Sequence, residues 1–476
     1  MKYDFDIAVI GGGAGGLFAA SVANGLGAKV CLIEKKRLGG DCTWFGCMPS
    51  KALLKSAAVA NLFKKYHEFG INLSGNFKLD TSGVMPHVQD VVQEIATHHP
   101  EEVFEKRGIK VVFGTPSFAV KDTIEVGEIK IKSRKFILCT GSHPVIPPIE
   151  GLKEINYLTN ENVFDLKQLP ESLIVLGGGP IGIELSQALN RLGVSVYIVE
   201  MMPRILFRED SDAAVVLENK LKSEGIHILT GKKAIKFTAG KGKIIVTLED
   251  NDKKQEQLSA ENVLVAVGRA PNLEGLNLER AAVAYSQAGI KVNSYLQTTN
   301  QDIFACGDIA GPYMFSHMAS YQAQVCARNA LFKSIAWQKV DYTNISWATF
   351  TDPELAHLGL TEEEARTKYK DIKIYKTGYA SCDRAITDLE KDGLVKVITD
   401  KKGYILGAHI AGTNAGELIH EFILAKSLKV PLEKLSWPIF IYPTLSELVK
   451  KTAAKPLLEK AGRPFVKFLI KLLKSK

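Results

Sequence analysis

Two stretches of this chain share one pattern of apolar and polar positions. Asp6-Ile7-Ala8-Val9-Ile10 is an apolar run without alternation, as expected of a parallel strand covered on both faces, and the strand is expected over 3–10. It runs into Gly11-Gly12-Gly13-Ala14-Gly15-Gly16, then an Ala-rich helical pattern to about Leu26, then a second apolar run over 29–33 that ends at Glu34. The same order returns later: an apolar run over 173–176, Gly177-Gly178-Gly179-Pro180-Ile181-Gly182, a helix to about Leu192, a strand over 195–199, and Glu200. From first glycine to glutamate, 11 to 34 and 177 to 200, the step is 23 residues in both copies. One glycine cluster is a weak signal. Two, each between strand and helix and each closed by an acid at a strand end, are a strong one.

Each copy has a physical reading. The first glycine lets the strand turn sharply, the second lets a phosphate approach the backbone, and the third lets helix and strand pack closely. The N–H groups and the positive end of the helix dipole then suit a pyrophosphate. The strand-end glutamate suits a ribose diol. The competing reading is a pair of tight glycine turns with no ligand, and the repetition favours two bound dinucleotides.

The remaining pattern is more varied. A mixed region over 80–150 closes with Ile137-Leu138-Cys139-Thr140-Gly141-Ser142. Ile303-Phe304-Ala305-Cys306-Gly307-Asp308 is expected to be a strand ending in a glycine-acid turn, with a helix from about Ser316. From Tyr342 the pattern changes to hairpin-like strands over 394–398 and 405–410 and a helix over 417–428. That part is expected to be α+β, without a glycine fingerprint, and suited to an interface.

The chain has 476 residues, too many for one core. Its 46% hydrophobic and 24% charged residues are those of a globular protein. The net charge of +8 is spread and locally compensated, with no Lys/Arg cluster interleaved with aromatics, so nucleic acid is not an expected partner. The N-terminus opens directly on a strand, unlike a secretory leader. No apolar run approaches the ~20 residues of a membrane span. A cytoplasmic location is expected.

Seven cysteines, at 31, 42, 47, 139, 306, 326 and 382, have no regular spacing. One close pair stands out, in Gly39-Gly40-Asp41-Cys42-Thr43-Trp44-Phe45-Gly46-Cys47-Met48-Pro49-Ser50-Lys51. Pro49 suits the first turn of a helix, whose dipole lowers the pKa of a thiolate held there. Such a pair can close a small redox disulfide. The alternatives are zinc, for which no further Cys or His stands at short spacing, and two unpaired structural cysteines.

Together these segments resemble the pyridine nucleotide–disulfide oxidoreductases, which include dihydrolipoamide dehydrogenase, glutathione reductase and mercuric reductase. The resemblance runs from Asp6 to about Pro456, and Cys-x4-Cys-x-Pro-Ser-Lys is its most specific motif. It implies an α/β fold with two Rossmann-like domains, binding FAD and NAD(P), and a C-terminal α+β dimerisation domain. The expected domains are 1–150 with 278–341 for FAD, 151–277 for NAD(P), 342–456 for dimerisation, and a basic amphipathic tail over 457–476. The resemblance places FAD at Gly11, Gly13, Gly16, Glu34, Gly40, Lys51, Gly114, Gly141, Asp308 and Ser316. It places NAD(P) at Gly177, Gly179, Gly182, Glu200 and Gly268, with Arg269 beside them. Lys51 and Glu184 match an ion pair by the flavin N5. Cys42 would exchange with substrate and Cys47 would face the flavin. The implied mechanism is a relay of hydride from nicotinamide to flavin, through the disulfide, to an external acceptor. No metal site is expected. Glu200 favours a free 2′-hydroxyl, hence NADH over NADPH, although Arg204 lies nearby.

The chain departs from the family at one functional position. Where dihydrolipoamide and glutathione reductases carry His-Pro-Thr-x-x-Glu, this chain reads Tyr442-Pro443-Thr444-Leu445-Ser446-Glu447. The family's histidine is the acid–base partner of the exchange cysteine, supplied across a dimer interface and oriented by the glutamate. A phenol with pKa near ~10 is a poor base where an imidazole near ~6.5 is well matched. Slow exchange with dihydrolipoamide is therefore expected. Mercuric reductases also place a tyrosine there, but their C-terminal cysteine pair is missing, since no cysteine follows Cys382. The expected function is NAD(P)H:disulfide oxidoreduction in a homodimer, with a disulfide or a soft metal ion as acceptor. Mercuric reductase, dihydrolipoamide dehydrogenase and a quinone or oxygen reductase are the alternatives. In the tail, Lys467, Lys471 and Lys474 share one helical face opposite Phe465, Phe468, Leu469, Leu472 and Leu473. Residues 464–476 are thus expected to meet an anionic membrane peripherally, to pack on the protein, or to be disordered.

Overall fold

The computed structural model describes residues 3–74, 78–240, 242–462 and 464–473. These form two units: one of Met1–Pro170, Lys236–Ile245 and Ala260–Asp341, the other of Glu171–Ile235, Val246–Ser259 and Tyr342–Lys476.

In the first unit the opening apolar run is the strand Phe5–Ile10, central in a sheet ordered Lys110–Phe113, Val30–Glu34, Phe5–Ile10, Ile129–Leu138, Thr123–Val126, Pro116–Val120. Its pairings with Val30–Glu34 and Ile129–Leu138 are parallel, with Ile10 level with Ile33 and Leu138. Ile303–Ala305 joins Ile129–Leu138 in parallel as well. The lack of alternation now has its cause. Ile7, Val9 and Leu32 share a core with Leu17, Ala20 and Ala323, while Ala8, Ile10 and Ile33 share another with Phe118, Ile124 and Phe136. Both faces are covered, so both sets of side chains must be apolar. The helix Ala14–Gly25 packs on Ser316–Leu331, with Gly15 facing Ala319.

The second unit repeats the motif with Ser172–Leu176, Ser195–Glu200 and His227–Thr230 in parallel and the helix Pro180–Arg191 after the first strand. Its C-terminal part is a five-stranded sheet ordered Ser346–Thr349, Glu354–Gly359, Ile405–Gly412, Leu394–Asp400, Ile372–Gly378. Every neighbouring pair there is antiparallel. The expected hairpin is Leu394–Asp400 with Ile405–Gly412, and the expected helix is Ala415–Ser427. Buried ion pairs set the packing within this unit. Arg191 donates to both Glu224 oxygens, at 2.9 and 2.6 Å, and to Asp352 at 2.7 Å. Lys396, 1% exposed, meets Asp210 and Glu362 at 2.8 Å each. Each of these buried cations is thus paired, as a charge removed from water must be.

Candidate active site

The first glycine turn is shaped by backbone against backbone. Gly11 has φ +104°, and a Cβ on Gly16 would overlap the Gly11 carbonyl oxygen. Gly13 opens the helix Ala14–Gly25 with no side-chain cap, so the first-turn N–H groups have no side-chain acceptor at the cap. Gly40 faces it so closely that a Cβ there would stand 2.5 Å from the Gly13 Cα. Glu34 holds the loop: its Oε2 accepts from the Gly12 N–H at 2.6 Å and its Oε1 from the Lys36 N–H at 2.8 Å. The Gly114 N–H donates to the Glu34 carbonyl at 2.9 Å, which places Gly114 at the same sheet end.

The second turn reproduces this. Gly177 has φ +105°, Gly182 would collide with the Gly177 carbonyl if it carried a Cβ, and Gly179 caps the helix Pro180–Arg191 without a side-chain bond. Glu200 accepts from the Gly178 and Met202 N–H groups, both at 2.7 Å. Arg204 is turned away from a ligand role, donating to the carbonyls of Leu206, Phe207 and Glu209 at 2.7, 2.9 and 2.8 Å. Both helices thus present uncapped N-termini beside glycines, a cradle that fits the pyrophosphate of a dinucleotide.

Cys42 lies in the short helix Gly40–Trp44, and Cys47 begins the helix Cys47–Lys64, with Gly46 as its cap. Both thiols are free and half-buried. The two sulfurs share a hydrogen bond that splits them: the Cys42 thiol is pushed up by that bond and by burial, and Cys47 is pulled down to about 6. The Cys42 hydrogen bond is the chief cause at Cys47, helped by Ser316 and the Lys51 charge against burial and Asp41. Ser316 Oγ is 3.6 Å from Cys47 Sγ, and Lys51 Nζ donates to Ser50 Oγ at 3.3 Å. The first unit therefore brings Cys42, Cys47, Lys51 and Ser316 together.

Asp308, after the strand Ile303–Ala305, accepts from Ser142 Oγ at 2.5 Å, and burial raises its carboxyl. Gly141 is next to that serine, and its carbonyl accepts from the Asn272 N–H at 2.9 Å. The Gly268 carbonyl accepts from Val145 at 2.9 Å. Arg269, expected beside the nicotinamide site, directs its guanidinium to Ser142 Oγ at 2.8 Å, Asn160 Oδ1 at 3.4 Å and Asp41 Oδ1 at 3.2 Å. Asp41, Ser142 and Asn160 were missed by sequence reasoning. Asp41 and Ser142 had a signal in their positions beside Cys42 and Gly141, but Asn160 had none.

In the second unit Glu184 is buried and accepts from the Phe350 N–H at 2.8 Å. Lys51 and Glu184, expected to pair, belong to different units. Tyr442 is 64% exposed, and its hydroxyl donates to Asp383 Oδ2 at 2.8 Å, which pushes the phenol further up. Glu447, the expected orienting acid, opens the helix Glu447–Ala461, and among the described residues its buried Oε2 has no partner. Asp383 is thus a further residue that the sequence did not single out.

Among the described residues no cluster of three or more His, Cys, Asp or Glu is arranged to hold a metal ion, and no helix is long and apolar enough to cross a membrane. The tail is helical over Pro464–Leu473, with Phe468, Leu472 and Leu473 exposed, and Lys474 lies outside the described residues.

Residues 5–323 match the family described as pyridine nucleotide-disulphide oxidoreductase, and residues 345–453 its dimerisation domain. A mercuric reductase of Staphylococcus aureus is 32% identical, over 94% of this chain and 82% of that protein. A dihydrolipoyl dehydrogenase of Bacillus subtilis is 33% identical, over 95% of this chain and 98% of that protein. Among solved structures, the HOCl-induced flavoprotein disulfide reductase RclA from Escherichia coli superposes with a TM-score of 0.83 at 26% identity, covering 94% of this chain and 99% of RclA.

Proposed function

The chain belongs to the pyridine nucleotide-disulphide oxidoreductases, FAD-binding enzymes that use a pyridine nucleotide, and on that premise we propose that Cys42 and Cys47 are its redox pair, with NADH as the electron donor. The dimerisation domain supports a homodimer. When bound, the flavin supplies two-electron transfer between nicotinamide and the cysteine pair. Gly11, Gly13, Gly16, Glu34, Gly40, Gly114, Gly141, Asp308 and Ser316 would hold it. Gly177, Gly179, Gly182, Glu200 and Gly268 would hold the nicotinamide cofactor. The domain division at 150, 277 and 341 follows the same assignment, one motif to each binding domain.

The observation that carries this reading is the placing of the two thiols. Cys47 begins the helix Cys47–Lys64 with its sulfur 3.6 Å from the Oγ of Ser316, a residue assigned to the flavin, and its pKa is pulled down chiefly by Cys42. Cys42 lies apart in the short helix Gly40–Trp44, and its thiol is pushed up. On this reading Cys47 stays by the flavin and Cys42, once deprotonated, meets the acceptor. For the donor, the Glu200 charge repels a 2′-phosphate, and Arg204, spent on backbone carbonyls, does not offset it.

The acceptor is a disulfide or a soft metal ion. Tyr442 bonded to Asp383 stays a neutral phenol, so it donates a hydrogen bond rather than accepting the Cys42 proton. That argues against fast dihydrolipoamide exchange. The exposed Phe468, Leu472 and Leu473 favour peripheral contact of the tail with an anionic membrane, testable by flotation with anionic vesicles at low and high salt.

Anaerobic reduction by NADH tests the main reading. The wild-type protein should take up a second electron pair beyond the flavin's and develop a long-wavelength thiolate–flavin band. Cys42→Ser should keep the band and Cys47→Ser lose it. A wild-type protein that accepts only one electron pair sinks the proposal.

A further inference from the structure

The segment between the cysteines is held from outside by residues more than a hundred positions away. Asn160, 6% exposed, spends its amide on that segment: Nδ2 donates to Asp41 Oδ1 at 3.3 Å and to the Phe45 carbonyl at 3.2 Å. One side chain thus grips the residue before Cys42 and the one that ends its helix. Its remaining amide oxygen accepts from Arg269 Nη1 at 3.4 Å. Arg269 is itself fixed, because the strand Arg269–Pro271 pairs antiparallel with Ser142–Pro144. From there its guanidinium reaches Asp41 on one side and Ser142 on the other, and Ser142 donates to Asp308.

We infer that Asp41, clasped by Asn160 and Arg269, is a positioning residue that holds the turn between the two cysteines in register with Asp308 and sets its carboxylate against Gly46, the residue before Cys47. The inference extends the assignment of Cys42 and Cys47 as the redox pair. Three titratable groups face Cys47: Cys42 and Lys51 favour its thiolate, and Asp41 opposes it. Arg269 neutralises Asp41 at 3.2 Å, so its cation shields the thiolate from that carboxylate. The pair would act as a setting: remove the acid and Cys47 ionises more readily, remove the base and it ionises less readily. A purely structural clasp predicts no such opposition of sign.

The test is the pH dependence of iodoacetamide alkylation at Cys47, read by peptide mass spectrometry on full-length FAD-loaded protein reduced with dithiothreitol. Asp41→Asn should lower the midpoint by roughly half a unit, about a threefold rise in thiolate on the rising limb. Arg269→Gln should raise it, and the double variant should return towards wild type. Asp41→Glu, which keeps the charge, should leave the midpoint near wild type and decides the matter if Arg269→Gln loses FAD. An unmoved midpoint in FAD-loaded Asp41→Asn, or equal shifts in Asp41→Asn and Asp41→Glu, overturns the inference. Electron uptake by the same wild-type protein separately reports whether the cysteines are the redox pair, so the two failures are distinguishable.

Discussion

The two glycine turns obey one local rule and live in different surroundings. In both, the strand-end glutamate accepts from the N–H of the second glycine, and the last glycine lies against the first glycine's carbonyl. Around the first, however, the protein closes in: a Gly12 Cβ would meet Leu38 at 2.7 Å, and Gly13 lies against Gly40 of the cysteine segment. At the second, a Gly178 Cβ would still meet Ile205 at 3.0 Å, but among the described residues nothing stands within 4 Å of a Gly179 Cβ, where its counterpart Gly13 meets Gly40 at 3.6 Å, and Met201 and Ile181 are exposed. The same turn thus suits a resident cofactor where neighbouring backbone encloses it, and an exchangeable one where it is left open.

The largest test of that contrast is to add a methyl group at each close contact. Gly16→Ala should disrupt the buried turn and yield protein without FAD, measured by the flavin-to-protein absorbance ratio. Gly182→Ala should keep FAD and fold but weaken NADH binding. Strain of about 1–3 kcal/mol corresponds to about fivefold to 150-fold in affinity, read from the NADH dependence of flavin reduction. Equal FAD loss in both variants would erase the distinction between the sites.

A smaller effect is expected from the two glutamates. Glu200→Gln should raise the efficiency of NADPH relative to NADH by about tenfold, since it removes a like-charge clash with a 2′-phosphate. Glu34→Gln should leave that ratio unchanged and lower FAD retention instead. A nucleotide preference that ignores Glu200 would show that specificity lies elsewhere.

The C-terminal part, without a glycine turn, offers a sharper measure of what a motif leaves unsaid. Tyr442→His should place an imidazole near Glu447, whose Oε2 has no partner among the described residues, and should raise dihydrolipoamide turnover by part of the ~10²–10⁴ typical of acid–base catalysis. That gain should vanish in Tyr442→His/Glu447→Gln but survive in Tyr442→His/Asp383→Asn. No gain in FAD-loaded Tyr442→His would mean that another group is the base or that the substrate cannot enter.

The smallest predicted effect separates the units by acid. His409 is buried, and desolvation with the neighbouring His357 lowers it to about 4. Its folded value is depressed, so the unfolded chain takes up the proton first as pH falls below about 6.5. Stability is full above that point and is lost progressively towards about 4. Thermal unfolding followed across this range should show a loss that His409→Gln reduces.

The glycine turns, their glutamates and the Cys42–Cys47 motif were legible in the sequence because their hydrogen bonds and close contacts are set mainly by short, recurring spacings of residue types. The unalternating strand Phe5–Ile10 was equally legible, since burial of both faces demands an apolar residue at every position. The clasp on Asp41 was not. Ser142 meets Asp308 across 166 positions and Arg269 meets Ser142 across 127, and those pairings exist only once the sheet register has set the strand ends level. Likewise the run from Tyr442 to Glu447 suggested the family's pairing, whereas the folded chain gives the Tyr442 hydroxyl to Asp383, 59 positions away. Spacing along the chain decides which groups can bond within a turn. Which distant groups meet, and whether a turn is enclosed or open, depends on the packing of elements that local spacing does not encode.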